Sequence, residues 1–502
     1  MTKVLDLHDI QGNIVRAYGR FGFPVARYIF LQIRDGDKGR AFVGAVTNKV
    51  TSAATWGVGP HPIPKPKVTT NIAFTYGGLK ALGVPRESLR GFPPEFVMGM
   101  KKRKDILGDD GPSAPENWDS VWHQEVHVFV SFNGQSQEFI EQQCQWLLQL
   151  IDQSDGGVVL LRGHRGDDGS TDLPYQDAKI VFENGKPTSK EHFGYTDGIG
   201  DPVFEGLPDS VLNANGRGKP TADGGWEPLA TGEFILGHFD EAHEYPPAPK
   251  PFLLSRNSTF MVYRKLHQNV GTFNAYLEEQ GKLYPGGKEL LAAKFVGRWR
   301  DNGAPLVSAP DVERKKIWDA KFAQATSQER DNMLSSWDYD KDPNGAKCPF
   351  SSHIRRINPR SSLEFGNKGA FDTPGALSNR RRIIRRGLPY GEVKDPDRDD
   401  GNHGIIIMMI NADINRQFEF VQQQWINYGN DFKASNDRDI ILGNHSKEFP
   451  SKAVLPVEPD SDQVPFFLKA IPRLVETRGG DYFFVPSITA LCIIAEGTID
   501  PT

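Results

Sequence analysis

Residues 348–391 read CPFSSHIRRINPRSSLEFGNKGAFDTPGALSNRRRIIRRGLPYG. They hold one histidine, His353, and eight arginines: Arg355, Arg356, Arg360, Arg380, Arg381, Arg382, Arg385 and Arg386. The chain as a whole has a formal net charge of −5, so this much fixed positive charge is a local device. An arginine stays charged and offers a planar fork of donors, which suits an anion: a phosphate, a carboxylate, or the propionates of a haem. His353 beside that cluster is a candidate metal ligand through a neutral ring nitrogen. On spacing alone a buried structural histidine or part of a solvated basic loop is the commoner reading.

A second stretch, residues 191–202, reads EHFGYTDGIGDP and places Gly194, Asp197 and Gly198 in the pattern G-x-x-D-G. An ionised aspartate can take a proton and return it, and the glycines allow the tight backbone that would aim it. Asp-Gly is also a common turn dipeptide. Taken with H-I-R-R-x-N-P-R and R-R-I-I-R-R-G-x-P-Y-G downstream, the pattern resembles the dye-decolourising peroxidases, a family of haem enzymes. The likeness runs along nearly the whole chain, through DIQGNI, NIAFTYGGLKALGVP, FPPEFVMGM, LGDDGP, KFVGRWRDNGAP, RQFEFVQQQWIN and TRGGDYFFVPS. Length and the long C-terminal half are most similar to the larger subclass found in bacteria and fungi.

The resemblance implies one non-covalently held haem b per chain; no C-x-x-C-H is present. It implies a peroxidase that uses hydrogen peroxide to oxidise dyes and phenolic or other one-electron donors. His353 matches the proximal iron ligand. Asp439, with Asp437 as alternative, matches the carboxylate that receives the ligand's other ring N–H. Asp197 matches the distal acid–base group and Arg385 the distal cation facing the leaving oxygen. Arg386, one residue on, would point elsewhere along an extended backbone. Arg355, Arg360 and His192 are candidates for the haem propionates. Tyr390 is oxidisable and, if it reaches the surface, is a candidate surface radical. The competing readings are a haem- or iron-handling protein on the same scaffold and a non-catalytic anion-binding protein.

A chain of 502 residues exceeds one ordinary core, so two domains are expected. Lys plus Arg (59) falls just short of Asp plus Glu (64), which argues against nucleic acid as the main partner. Cys144, Cys348 and Cys492 are too far apart for a disulfide framework or a metal knuckle. The N-terminus MTKVLDLHDI carries neither an apolar core nor a twin-arginine signal, and no run reaches the ~18 apolar residues of a membrane span. A cytoplasmic protein off the membrane is the expectation, with export of a trimmed chain and self-association left open.

Apolar patterning supplies the elements that would carry these residues. Strands are expected at 26–33, 71–77, 126–132, 158–161, 259–263, 404–410 and, as apolar strand material, 482–495. Helices are expected at 137–153, 269–280, 290–299 and 416–425. Residues 311–347 read as a charged insertion, and the Gly/Pro/Asp-rich segment 207–232 as the boundary. The strand–helix–strand logic of both halves fits the family's fold: α+β, two ferredoxin-like domains with helices on antiparallel sheets. Residues 1–215 would carry the G-x-x-D-G motif, and 216–502 would hold most of the haem site.

Overall fold

The computed structural model describes residues 4–58, 62–364 and 375–500; part of the arginine-rich stretch, 365–374, lies outside them. Among the described residues nine strands form one antiparallel sheet: β1 (Val25–Ile33), β2 (Val68–Phe74), β3 (Val128–Gly134), β4 (Val158–Leu160), β5 (Gln176–Lys179), β6 (Thr259–Gln268), β7 (Ile384–Tyr390), β8 (Gly404–Asn411) and β9 (Val475–Val485). Their order is β7-β8-β6-β9-β2-β3-β1-β4, with β5 also on the outer edge of β1. Each half repeats one topology. Strands one to four of β1–β4 lie in the order 4-1-3-2, and β6–β9 lie in the same order, which is the ferredoxin-like arrangement. The halves meet edge to edge where Phe484 of β9 pairs with Phe74 of β2. An ion pair between Lys179 at the end of β5 and Glu392 just beyond β7 links the two outer edges, so the sheet curls toward a barrel.

The helices that cover the sheet include α1 (Gly36–Thr47), α2 (Gln137–Gln153), α3 (Val270–Leu283), α4 (Gly287–Val296), α5 (Val312–Gln324), α6 (Ser327–Ser335), α7 (His353–Ile357) and α8 (Ile488–Glu496). Helix α2 spans the expected 137–153 and buries Ile140, Cys144, Leu147 and Ile151 on one face. A wide-turn helix runs over 415–426 and buries Phe418, Val421 and Trp425, as the apolar spacing requires. The charged segment 311–347 folds into α5 and α6, capped by Asp311 and by a Thr326–Glu329 capping box.

Three expectations needed correcting. The strand expected at 71–77 runs from Val68 to Phe74, because Thr75 caps the next helix by accepting from Gly78 N. The apolar run to 495 is not one strand: β9 ends at Val485, Ser487 caps α8 by accepting from Ala490 N, and Gly497 closes it in the left-handed region. Strand β6 continues five residues past Tyr263, because Arg264, Lys265, His267 and Gln268 are buried despite their polarity.

Period-two alternation decides what each strand faces. On β8, Ile406, Met408 and Ile410 pack into the core, while Ile405, Ile407 and Met409 line a cavity outside it. On β6, Arg264, Leu266 and Gln268 line that same cavity, and Tyr263 and Lys265 face the other way. Lys265 is 1% exposed; its ammonium donates to Asp119 Oδ2 at 2.7 Å and to Gln176 Oε1 at 2.6 Å. A C-terminal strand is thereby tied to two N-terminal segments. Burial pulls the Lys265 pKa down and the Asp119 charge opposes it. Asp119→Ala should cost about 3–5 kcal/mol in chemical denaturation by leaving this charge uncompensated. The double variant Lys265→Met/Asp119→Leu should cost less than that single change; a larger loss in the double would show that the pair is net stabilising.

Candidate active site

A cavity of about 280 Å³ lies against the outer face of β6, β7 and β8 and is closed by α4, α7, the 415–426 helix and the segments 193–202 and 441–444. His353, Asp197, Arg385 and Arg360 all line it, so the two distant stretches 191–202 and 348–391 converge there.

His353 opens α7 and is fixed from behind. Its Nδ1 lies 2.9 Å from Asp439 Oδ2, while Asp439 Oδ1 accepts from Ile441 N at 2.8 Å and Leu442 N at 2.7 Å. Asp439 is fully buried, and burial alone would raise its pKa; His353 and the Leu442 N–H outweigh this and hold it below the ordinary carboxylate value. Nδ1–H donation to an ionised Asp439 leaves Nε2 as the basic nitrogen. Asp437, the alternative, pairs with Lys452 Nζ at 2.7 Å and does not touch His353.

Asp197 sits on the loop after the tight turn 191–195. Its Oδ1 accepts from Gly198 N at 2.6 Å and lies 3.7 Å from Arg385 Nη1. Gly194 (φ +90°) and Gly198 (φ +77°) have the left-handed backbone that glycine adopts readily. Arg385 stands on β7 facing the cavity and donates through Nη2 to Ile199 O at 3.1 Å. Its neighbour Arg386 points to the other face and pairs with Asp201 at 2.7 Å, as the alternation requires.

The propionate candidates divide. Arg360 lines the cavity; its Nη2 donates to Gly216 O and Ser335 O at 3.0 Å each, and its buried Nε has no partner. Arg355 does not line it. Its guanidinium is fully buried on Asp342 Oδ2 (2.8 Å), Cys348 O (2.7 Å) and Ser362 Oγ (3.1 Å), which makes it a structural tie. His192 also turns away, its Nε2 2.9 Å from Tyr390 O. Tyr390 is completely buried, with Lys265 Nζ 4.7 Å from its ring centroid, so it does not reach the surface.

The structure adds residues that spacing did not single out. Arg298 and Arg382 line the cavity, are buried, and donate to backbone carbonyls only: Gly303 and Leu334 for Arg298, Gly218 and Arg217 for Arg382. Burial and the neighbouring Arg360 push both pKa values down to about 9. Among the described residues none of Arg298, Arg360 and Arg382 has a carboxylate partner. Arg382 belongs to the arginine run already noted; Arg298 stood in GRWRDNG without a cluster to mark it. Glu191, also in the wall, accepts from Phe193 N (2.9 Å) and Tyr195 N (2.8 Å) and from Gln268, and burial pushes it up to about 7. Its signal was its place three residues ahead of Gly194 in the same motif.

This set fits a haem. Three buried cations without counter-ions suit two propionates, the branched apolar walls suit a porphyrin, and one oriented imidazole suits an axial ligand. A bare metal ion fits less well: among the described residues no group of three His, Cys, Asp or Glu is arranged to hold one. Also among the described residues, no helix is long and apolar enough to cross a membrane.

Burial of histidines gives the fold an acid-sensitive stability. His192, His403 and His445 are each pulled down to about 4, chiefly by desolvation. Their folded pKa values lie below the unfolded value near 6.5, so the stability from keeping them neutral is complete above pH 6.5 and falls as pH drops toward 4. The loss is up to roughly 1.4 kcal/mol per pH unit for each group. Chemical denaturation at pH 7 and pH 5 should show it, and His403→Gln, which removes one titrating ring, should lose less than the wild type over that interval.

The family described as "DyP dimeric alpha+beta barrel domain" matches residues 9–165. The multifunctional dye peroxidase DyP2 of an Amycolatopsis species is 28% identical over 508 residues, covering 97% of this chain and 95% of that protein. Peroxidase 2 of Mycetinis scorodonius is 25% identical and covers 97% of this chain and 87% of its own length. The structure of an ancestral D-type dye decolorizing peroxidase superposes with a TM-score of 0.73 at 26% identity, over 97% of this chain and 98% of its own. A fungal DyP-type peroxidase from Auricularia auricula-judae, 23% identical, shares the fold at a TM-score of 0.73 over 98% of this chain and all of its own. Sequence and fold agree: along nearly its whole length the chain is similar to dye-decolorizing peroxidases, and it shares their fold.

Proposed function

We propose that the cavity holds one non-covalent haem b, and that the enzyme uses hydrogen peroxide to oxidise dyes and phenolic or other one-electron donors. The observation that carries this reading is the convergence of the His353–Asp439 pair, the Asp197–Arg385 pair and three buried arginines without counter-ions among the described residues on one cavity. His353 would hold the iron through Nε2, and Arg298, Arg360 and Arg382 would take the propionates. When bound, the haem supplies the redox centre that accepts oxidising equivalents from peroxide and draws single electrons from the donor.

The chain's own residues handle proton and charge. Asp439 accepts the His353 Nδ1 proton in a hydrogen bond, which fixes the ring and makes Nε2 more electron-rich. Asp197, ionised, takes the first proton from peroxide and returns it to the departing oxygen. Arg385, at 3.7 Å from Asp197 Oδ1, places a fixed cation beside the charge that develops on that oxygen. The Gly198 N–H and Ile199 carbonyl hold the two side chains before peroxide arrives, so little reorganisation remains for the reaction itself.

Stopped-flow mixing of the haem protein with peroxide tests the proposal; a haem protein without a fast peroxide-dependent change would be a carrier instead. His353→Ala should lose most of its haem or change its spin state, and an unchanged haem content and absorption spectrum would overturn the ligand assignment. Arg385→Leu should keep haem yet react with peroxide on the order of 10²–10³ more slowly. The pH profile of wild-type peroxide consumption should depend on Asp197, so Asp197→Asn should alter it. If Asp197→Asn leaves that pH profile untouched, another group moves the proton.

A further inference from the structure

A second cavity, also about 280 Å³, lies behind the first on the opposite face of β7 and β8, inside the curl of the sheet. Three side chains in its wall are more than nine-tenths buried, and each has a polar atom without a hydrogen-bond partner: Arg16 Nη1 (8% exposed), Asn13 Oδ1 (5%) and Tyr28 OH (0%). Unsatisfied buried groups are uncommon, and three around one cavity point to a missing polar occupant. Arg16 donates through Nη2 to Ala54 O at 2.8 Å, and its guanidinium lies 4.5 Å from the Trp56 ring centroid.

The charge around the cavity fixes the occupant's sign. Asp201 is matched by Arg386 at 2.7 Å, Asp197 by Arg385 at 3.7 Å, and Lys190 by Glu183 at 3.1 Å. Arg16 and the exposed Arg20 have no ion-pair partner among the described residues, so the cavity carries unmatched positive charge. Leu388, Ile406 and Met408 supply an apolar wall. We propose that this chamber binds a small aromatic carboxylate bearing a ring hydroxyl. Its carboxylate would meet Arg16 and Arg20 and its ring the apolar wall, while its hydroxyl would donate to Asn13 Oδ1 and accept from Tyr28. None of these four polar side chains lines the haem cavity, but the two chambers adjoin, since Asp197, Arg385, Ile405 and Ile407 line both.

Isothermal calorimetry of the full-length haem protein with 4-hydroxybenzoate tests the proposal. One saturable site is expected, and Arg16→Gln should weaken it at least tenfold through loss of a charge-assisted hydrogen bond. The neutral 4-hydroxybenzamide, equal in shape, should bind at least tenfold more weakly than the acid. If Arg16→Gln does not fold, Arg20→Gln at the exposed position should weaken binding severalfold. Absence of saturable heat in the wild type, amide binding equal to the acid, or unchanged affinity in the variant that folds would each overturn the site. Haem content and peroxide reactivity of the same samples report on the haem cavity separately, so failure of one reading is distinguishable from failure of the other.

Discussion

Alternation along two paired strands is the constraint on which the rest depends. β7 and β8 are antiparallel partners, with Arg385 opposite Met409 and Arg386 opposite Met408. Residues directly opposite share a face, so one register sends Arg385, Ile407 and Met409 to the cavity that His353 lines and Arg386, Ile406 and Met408 to the interior. A slip of one residue would exchange the two sets, taking Arg385 away from Asp197 and placing Arg386 in the site. The different partners of the two arginines hold that register: Arg386 reaches Asp201 and the Asn13 and Ile14 carbonyls on one face, and Arg385 the Ile199 carbonyl on the other.

Electrostatics then separates the buried arginines into two groups. Arg355 and Arg356 are also completely buried, yet Arg355 has Asp342, and Arg356 is ringed by the carbonyls of Phe350, Trp425, Tyr428 and Asp437. These two are part of the folded core. Among the described residues Arg298, Arg360 and Arg382 have fewer partners and no carboxylate, and burial depresses the pKa of each. A buried cation kept without its counter-charge is expensive, so an anion that supplies the charge binds tightly and stabilises the fold with it.

How legible this was in the sequence depended on whether function coincided with local pattern. His353, Asp197, Arg385 and Asp439 lie in short motifs, and the structure brings each to one site. The anion contacts were harder, because eight arginines in one stretch look alike. Which of them face a cavity depends on the turn after His353 and on carbonyls of residues 216–218 and 335, far away in sequence. Arg355, a propionate candidate from its motif, is a strut on Asp342 and the Cys348 carbonyl, while Arg298 lies on another segment altogether. Helix α1, GDKGRAFVGAVT, was passed over because three glycines mask its Phe42, Val43 and Val46 face, which only burial against the sheet makes decisive. Tyr390 could not be placed from its chemistry, since oxidisability says nothing about depth.

One further link joins fold to chemistry. The turn that aims Asp197 is organised by Glu191, whose carboxylate accepts two backbone N–H groups of that turn and the amide of Gln268 on β6. Strand β6 is anchored in turn by Lys265, which faces the opposite way into Asp119 of the N-terminal half. The position of the acid–base group is thus referred to the same central strand that pairs with β8 and so fixes where Arg385 stands. Loop and strand contribute one side chain each to the proposed Asp197–Arg385 pair, and their spacing is set by a shared rigid element and not by the loop's own preference. This is why a motif of five residues can carry its function only within the whole sheet.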